Sequence, residues 1–497
     1  MKNWIRITLA ISLISGISPT VAKDFDDERA KMRKEIDEFR NTAREELETF
    51  RQQINREYAE ALANPWEKIQ VDPIIITPPE PEPEPPVWDD EDDDNIRRDG
   101  VPLPIKNVAP APAPAPRPNP VEPINPAPLP NPVWINSTFY GTNVKYRNHE
   151  WKGFSLQSAE EKSISDAWEW LSRNNSDHFL KDMLTARDAL HLPDWGYFKL
   201  IDSIISKDFR SGSSAHTVIM AFVLSQSGYK VRMIRKDSGL HLFFASSGIL
   251  YDHAGLSIDG DKYWSYTPLK SGEVFVSNVK FPGEKEMSLS IPESPAFSFS
   301  PGNRREIEVV RNPSIKLDVT VNKNLIDFFN DYPAGTTDNT PYSRWANIAR
   351  TPSSKALHTG VYEKLRPMVK GKNQKEAINL LLKVAQTFPY KLDDEMWGDD
   401  RAFWMEESWH YPFSDCEDHA IHFVKLVKNI LGLHTALIYY PGHLYAAIAP
   451  TDNSLEGDYI MYQGRKYIVC DPTYFYAPAG KTAPGMDNSQ AVLIPVN

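Results

Sequence analysis

The sequence is poor in the features that mark several common classes of protein. It has only two cysteines in 497 residues, Cys416 and Cys470, so it does not depend on a disulfide framework. It has no apolar run of 18 residues or more, which argues against a transmembrane helix. It also lacks the clustered lysine and arginine that bind a nucleic-acid backbone. The sequence therefore predicts neither a membrane-spanning nor a nucleic-acid-binding protein.

Proline is in excess, and it is concentrated in one segment. Of 41 prolines, 20 lie in residues 73–132, which also carry 11 acids against 4 bases and so −7 of the formal net charge of −12. Proline lacks a backbone donor and fixes φ, so this density is incompatible with helix interiors and central strands. We predict a disordered, extended, acidic Pro-rich linker over residues 69–133. Its acid run at 89–94 lacks the glycine turn of a calcium loop.

The N-terminus has the pattern of a secretory signal peptide. Lys2 and Arg6 precede the apolar stretch of residues 7–17, and the small residues Thr20-Val21-Ala22 follow it. The alternative is a short membrane anchor, but the stretch is about half the ~20 residues that a span needs. We predict a signal peptide over residues 1–22 and an exported protein, which is periplasmic, exposed at the cell surface or secreted.

Residues 23–68 are predicted to form one long amphipathic helix. Their apolar side chains recur at a mean step of 3.75 residues. These side chains are Met32, Ile36, Phe39, Ala43, Leu47, Phe50, Ile54, Tyr58 and Leu62. A step above 3.6 favours an eleven-residue pattern over a heptad zipper. A single apolar stripe needs a partner, and two interpretations are open, a solvated charged helix that rests on some other surface and a self-associating stalk.

The 365 residues that follow Pro132 suffice for two domains or three small ones. Helical periodicity over residues 159–173, 179–189, 195–206 and 216–227 is followed by short strand patterns, and residues 263–322 are β-rich. A further amphipathic helix is predicted at 375–387, then a helix from Ser414 and four strands. This order of elements predicts a mixed α+β fold.

Candidate catalytic residues are concentrated near the C-terminus. Ser414 and Glu417 form an S-x-x-E capping box, which predicts a helix from Ser414 with Cys416 in its first turn. Backbone N–H groups there lower the pKa of a thiol. His443 opens a strand after the turn Pro441-Gly442, and Asp471 ends another strand. This is the arrangement of a thiol triad, in which histidine takes the thiol proton and aspartate orients the imidazole.

These segments resemble the transglutaminase-like thiol superfamily, which has a papain-like core. The matching stretches are Ser414-Asp415-Cys416-Glu417-Asp418-His419-Ala420, Tyr440-Pro441-Gly442-His443-Leu444 and Cys470-Asp471-Pro472-Thr473-Tyr474. The resemblance covers about 130 residues from Val361. It implies Cys416 as nucleophile, His443 as general base and acid, and Asp471 as orienting residue. The implied substrates are peptide or protein amides, and neither a metal nor an organic cofactor is required.

Several alternatives stay open at this point. Cys416 could be a packing residue or pair with Cys470, although Cys470 should face away if Asp471 faces the site, because neighbouring strand residues alternate. His419 and His422 lack further ligands at zinc spacing and are interpreted as packing or solvated residues. The competing function is a binding or structural module of the cell envelope in which the triad is idle.

An earlier part of the chain resembles the same pattern in degenerate form. Ser213 precedes an apolar helix, and His241 and Asp252 follow in matching order. We predict a degenerate transglutaminase-like unit at 134–325, with a β-rich extension at 263–325, and the catalytic domain at 326–497. A serine triad is disfavoured, because no Gly-x-Ser-x-Gly elbow is present and serine is hard to activate. The layout also resembles exported proteins of the Bacteroidetes type.

Overall fold

The computed structural model describes residues 19–76, 100–111, 116–149, 151, 153–174 and 176–496. Most of the predicted signal peptide, residues 1–18, lies outside this range, as does the acid run at 89–94. No helix in the described part of the chain has both the length and the apolar character needed to cross a bilayer.

The N-terminal half contains five helices and nine strands among its described residues. The helices are α1 (Pro19–Leu62), α2 (Glu161–Arg173), α3 (Ser176–Ala189), α4 (Asp194–Ile205) and α5 (Ser214–Gln226). The strands are β1 (Glu67–Val71), β2 (Asn107–Val108), β3 (Trp134–Phe139), β4 (Thr142–Arg147), β5 (Val231–Lys236), β6 (Gly239–Ala245), β7 (Gly255–Ile258), β8 (Asp261–Ser265) and β9 (Gly272–Val276).

The C-terminal half begins with a long hairpin and ends in a helix followed by five strands. The hairpin is β10 (Pro301–Val309) and β11 (Asn312–Asn322). The helices are α6 (Lys323–Asn330), α7 (Ser343–Arg350), α8 (Lys355–Leu357), α9 (Glu363–Val369), α10 (Gln374–Ala385), α11 (Asp393–Met396), α12 (Met405–Ser408) and α13 (Cys416–Leu431), with a π-helical turn at His358–Tyr362. The final strands are β12 (His434–Tyr440), β13 (His443–Ala449), β14 (Tyr459–Tyr462), β15 (Arg465–Cys470) and β16 (Val492–Pro495).

Two six-stranded sheets repeat one topology. The first has the order β1-β9-β5-β6-β8-β7, and the second has the order β2-β16-β12-β13-β15-β14. All five neighbouring pairs of the first sheet are antiparallel. In the second sheet the four corresponding pairs are antiparallel, and the edge pair differs, because β2 joins β16 parallel. A buried apolar helix precedes each sheet, α5 in the first case and α13 in the second. The mixed α+β class is confirmed, and the helix–sheet unit occurs twice.

The core lies mainly between the helices and the two sheets. One continuous cluster of buried side chains includes α5, α13 and the helix-facing sides of both sheets. The opposite face of each sheet has its own smaller cluster, around Phe243 and Tyr263 in the first sheet and around Tyr445 and Tyr467 in the second. Both faces of each sheet are therefore covered, which explains why β13 is buried at every position.

The predicted long helix is present as α1. Its last turns pack on the first helix–sheet unit, which consists of α5, its sheet β1-β9-β5-β6-β8-β7 and the neighbouring helices α2–α4. Tyr58, Ala59 and Leu62 are buried, and the Tyr58 ring lies 4.6 Å from that of Trp168. Asn55 accepts hydrogen bonds from Trp168 Nε1 at 3.0 Å and from Gln226 Nε2 at 2.6 Å. The C-terminal third of the stripe therefore packs on the rest of the chain, whereas the N-terminal part stays exposed.

The prediction of a disordered linker that separates the helix from the globular units is wrong for the described parts. β1 pairs with β9, and β2 pairs with β16, so the start and the middle of the Pro-rich segment each join a sheet. Pro118 accepts a hydrogen bond from Arg187 Nη1 at 3.0 Å, and Ile124 is buried. Proline density limits the backbone donors of a segment, but it does not prevent its carbonyls and apolar side chains from packing.

The hairpin of β10 and β11 contacts the C-terminal unit. The Arg305 guanidinium lies 4.5 Å from the centre of the Phe388 ring and donates to the carbonyls of Tyr411 and Pro412. The Val310 N–H donates to Thr387 Oγ1 at 3.0 Å. The limits at residues 325 and 326 stay predictions.

Because the last turn of α1 is packed in the core, shortening one of its buried side chains should destabilise the protein. Leu62→Ala removes a fully buried side chain from the core and should lower the free energy of unfolding by about 2–5 kcal/mol. The exposed Gln53→Ala on the same helix serves as the control and should change it by less than about 0.5 kcal/mol. Chemical denaturation measures both, and equal effects would mean that the end of α1 is not packed.

Candidate active site

Cys416 is the first residue of α13, so the helix begins two residues later than predicted. The N-cap is Asp415, whose N–H donates to Asp418 Oδ2 at 3.4 Å. The capping pair is thus Asp415 and Asp418, and the predicted pair of Ser414 and Glu417 is wrong. The reason is that Ser414 is held in an extended bridge, since its N–H donates to Pro389 O at 3.2 Å and its carbonyl accepts from Lys391 at 3.1 Å.

The thiol of Cys416 faces the start of β13. The backbone N–H of Leu444 donates to Cys416 Sγ at 3.3 Å. Glu417 Oε2 lies 3.5 Å from the same sulfur. Cys416 is completely buried, in the first turn of a helix where the dipole and the backbone N–H groups favour negative charge.

His443 and Asp471 form a hydrogen-bonded pair on the neighbouring strands β13 and β15. His443 Nε2 lies 3.2 Å from Asp471 Oδ2. His443 opens β13 and Asp471 directly follows β15, and these strands pair antiparallel through Ala446 and Cys470. Asp471 therefore lies on the Nε2 side of the imidazole. Leu444 follows His443 in the chain, so its contact with Sγ brings this end of β13 to Cys416.

Thr473 completes the support of the imidazole and was missed by the sequence analysis. Its N–H and hydroxyl both donate to Asp471 Oδ1, at 2.9 and 2.8 Å, and its hydroxyl lies 3.3 Å from His443 Nε2. Burial raises the pKa of the Asp471 carboxyl, but the charge of His443 and the hydrogen bonds from His443 and Thr473 outweigh burial and hold this pKa below its usual range. The Asp-Pro-Thr sequence is a signal for such a turn, because aspartate often accepts from the backbone two residues later.

A cluster of carboxylates lies directly beside the thiol. Oxygens of Asp393, Asp400 and Glu417 lie within 4.8 Å of one another, and so do those of Asp393, Asp415 and Asp418. Carboxylate oxygens at this separation can share a hard cation or a proton. Burial, reinforced by the charge of Asp400, raises the pKa of Asp393 to about 7. These residues come from three separate segments, so no local sequence pattern reveals them.

Two guanidiniums accompany the cluster. Arg344 is paired with Asp400, and Arg401 is paired with Glu407. Arg344 and Asp400 also lie in the wall of a cavity of about 330 Å³, together with the rings of Phe329, Trp397 and Trp404. The cavity therefore borders Asp400, whose carboxylate lies within 4.8 Å of that of Glu417.

The remaining candidate residues of this region are packing residues. His419 and His422 are buried, and neither belongs to a group of close ligand atoms among the described residues. Burial lowers the pKa of His419 to about 4 and that of His422 well below its usual range. Neither Cys416 nor Cys470 forms a disulfide in this structure. Burial also raises the pKa of Cys470.

The same helix–strand contact occurs in the first unit. Ser214 is the first residue of α5, and its Oγ accepts from the N–H of Leu240 at 3.1 Å, as Cys416 Sγ accepts from Leu444. Leu240 and Leu444 are each the second residue of the strand that follows a two-residue turn. This contact aligns Ser214 with Cys416.

The register of the sheets then fixes the other equivalent positions. Gly239 takes the place of His443, because each is the first residue after the turn of its hairpin. Phe243 pairs with Ser265 as Ala447 pairs with Val469, so Thr267 takes the place of Asp471. The first unit has neither an imidazole nor a carboxylate at these positions.

The alignment of Ser213, His241 and Asp252 with the triad is therefore wrong. Ser213 is the N-cap of α5 and accepts from the His216 N–H at 3.3 Å. His241 Nδ1 lies 3.0 Å from Thr267 Oγ1, and Asp252 is exposed with its N–H on Ile76 O. Spacing along the chain suggested these residues, but the strand register places them elsewhere.

The chain matches no family model, no curated protein and no solved structure. A functional assignment therefore depends on the residues and the geometry described above.

Buried neutral histidines predict acid sensitivity. An unfolded histidine titrates near pH 6.5, whereas the pKa of folded His422 is held well below this value, so the unfolded chain binds more protons as the pH falls below about 6.5. Stability should be fully present above this pH and decrease below it. His422→Phe keeps a ring against Phe388. Between pH 7 and 5 the melting temperature of this variant should fall by about 2–4 °C less than that of the wild type.

The matched control is His434→Phe, at a half-exposed position on β12. It should retain the acid sensitivity of the wild type. Identical pH profiles for His422→Phe and the wild type would contradict a neutral buried imidazole at position 422.

Proposed function

We propose that this protein is an exported cysteine-dependent acyl transferase or amidohydrolase acting on peptide or protein amides. The proposal is carried by one observation, which is that the thiol of Cys416 lies at a helix N-terminus beside the start of β13, where His443 is hydrogen-bonded to Asp471. Export rests on the sequence of residues 1–22 alone.

The proposed reaction begins with transfer of the Cys416 proton to His443 Nδ1. The thiolate then attacks the amide carbonyl carbon and forms a tetrahedral oxyanion, for which the Cys416 N–H is the candidate donor. Collapse of this species breaks the C–N bond, and the imidazolium gives its proton to the leaving amine. The resulting thioester is resolved by water, which gives hydrolysis, or by a second amine, which gives cross-linking.

The electrostatics around His443 support this role. Asp471 remains ionised because His443 and Thr473 hold its pKa low, so it stabilises the imidazolium that forms during the reaction. The Tyr445 ring packs edge-on against His443 at 4.7 Å and limits its rotation. Orientation and charge are thus supplied by residues that surround the ring on two sides.

The repeated helix–sheet unit supports the assignment to a transglutaminase-like fold. In both copies a buried helix precedes a hairpin whose two strands lie inside a six-stranded sheet, and the first residue of the helix contacts the second strand of that hairpin. We propose that both copies have this fold and that the first is a non-catalytic scaffold, since Gly239 and Thr267 supply no base.

One observation favours a different function, that of a non-catalytic envelope module. Cys416 is completely buried and has a carboxylate, that of Glu417, 3.5 Å from its sulfur. A substrate must therefore displace part of the surrounding structure, and a thiol retained only for packing would have the same burial. The two functions differ in whether His443 activates the thiol.

Trapping the acyl-enzyme distinguishes these functions. p-Nitrophenyl acetate should acetylate Cys416 with a burst of nitrophenolate, and peptide mapping by mass spectrometry should locate the acetyl group. His443→Ala should slow acetylation by about 10²-fold or more, because general-base help is lost. Asp471→Asn should slow it as well.

Cys470→Ala is the matched control and should acetylate at the wild-type rate, because burial raises the pKa of Cys470. If Cys416 acetylates equally fast in the wild type and in His443→Ala, the enzymatic function is wrong and the binding module is favoured.

A further inference from the structure

The N-terminal part of α1 presents an apolar stripe to solvent. Met32, Ile36, Phe39 and Phe50 are 50%, 43%, 74% and 45% exposed. They continue the face whose last members, Tyr58 and Leu62, are buried against the first unit. A continuous exposed stripe of this kind on a helix marks an interaction surface.

A groove beside this stripe offers room for side chains. It has a volume of about 260 Å³. Its apolar lining is Phe39, Ala43 and Leu47 of α1 with Pro123 and Pro126 of the Pro-rich segment, and its polar lining is Arg40, Arg44, Glu48, Arg51 and Asn125. The hydrogen bond from Arg51 Nη1 to Pro123 O, at 3.2 Å, fixes the segment beside the helix. The groove therefore accepts apolar side chains that arrive along the helix.

The charges that flank the stripe indicate which partner helix can bind there and in which orientation. They alternate in blocks along α1, with bases at residues 29–34, acids at 35–38, bases at 40–44 and acids at 45–48. A second α1 in parallel register would set like charges against each other. In antiparallel register with Met32 opposite the partner's Leu47, Arg33 faces the partner's Glu46, Lys34 faces the partner's Glu45 and Glu35 faces the partner's Arg44.

We propose that two copies of this chain associate through antiparallel α1 helices. Met32 and Ile36 of each copy enter the partner's groove, opposite the partner's Leu47 and the partner's Ala43. A two-fold axis passes close to Phe39, which meets the partner's Phe39. The overlap of residues 32–47 is about 24 Å long at 1.5 Å per residue, and the apolar step of 3.75 residues lets the two helices run nearly straight.

Charge reversal tests both the partner and the register. One variant carries Arg33→Glu and Lys34→Glu, and the other carries Glu45→Lys and Glu46→Lys. In the antiparallel arrangement each variant repels itself, whereas the two variants together restore every pair. Sedimentation equilibrium of the processed protein at low salt should give a dimer for the wild type, monomers for each variant alone and a dimer for the mixture.

The charge-reversal variants must stay folded for this comparison to report on association. Circular dichroism should show that both variants stay folded, because these side chains are exposed. A monomeric wild type, or variants that both remain dimeric, would overturn the proposal. Binding of a monomeric wild type to phosphatidylcholine–phosphatidylglycerol vesicles, lost in Phe39→Asp, would overturn it in favour of a lipid surface.

Discussion

The structure depends on one contact, in which the side chain of the first residue of a buried helix accepts a hydrogen bond from the second residue of a strand. Leu444 makes this contact with Cys416, and Leu240 makes it with Ser214. It joins the helix N-terminus, where backbone N–H groups favour negative charge, to the strand that begins with His443. The position of the thiol and the alignment of the two copies follow from it.

This contact separates what the fold requires from what the chemistry requires. A hydroxyl replaces the thiol in the first unit and the contact survives, so the acceptor alone is enough for the fold. His443 and Asp471 have no such structural duty, since Gly239 and Thr267 occupy their positions in an equivalent sheet. We therefore interpret the imidazole–carboxylate pair as retained for a reaction. The first helix–sheet unit and the packed parts of the Pro-rich segment are then the scaffold on which this pair is held.

Much of this could be predicted from the sequence, and the errors have physical causes. Apolar periodicity placed α10 within two residues at each end and α1 within six, and it predicted the strands next to His443 and Asp471. The helix start was misplaced because a bridge to Tyr390 holds Ser414 extended, a contact that local sequence does not contain. His241 matched His443 by spacing, but hairpin register decides which residue faces the helix. The carboxylates around Asp393 meet only through tertiary packing, and proline density could not show where Ile124 would pack.

The central claim is that His443 and Asp471 activate the thiol of Cys416. The most direct test is the rate of alkylation of Cys416 by iodoacetamide as a function of pH, measured in a Cys470→Ala background. The account predicts that the rate follows a thiolate that forms well below pH 8.5, the ordinary value for cysteine, and that His443→Ala moves the profile toward that value. Alkylation that titrates at pH 8.5 or above, with no change in His443→Ala, would contradict it.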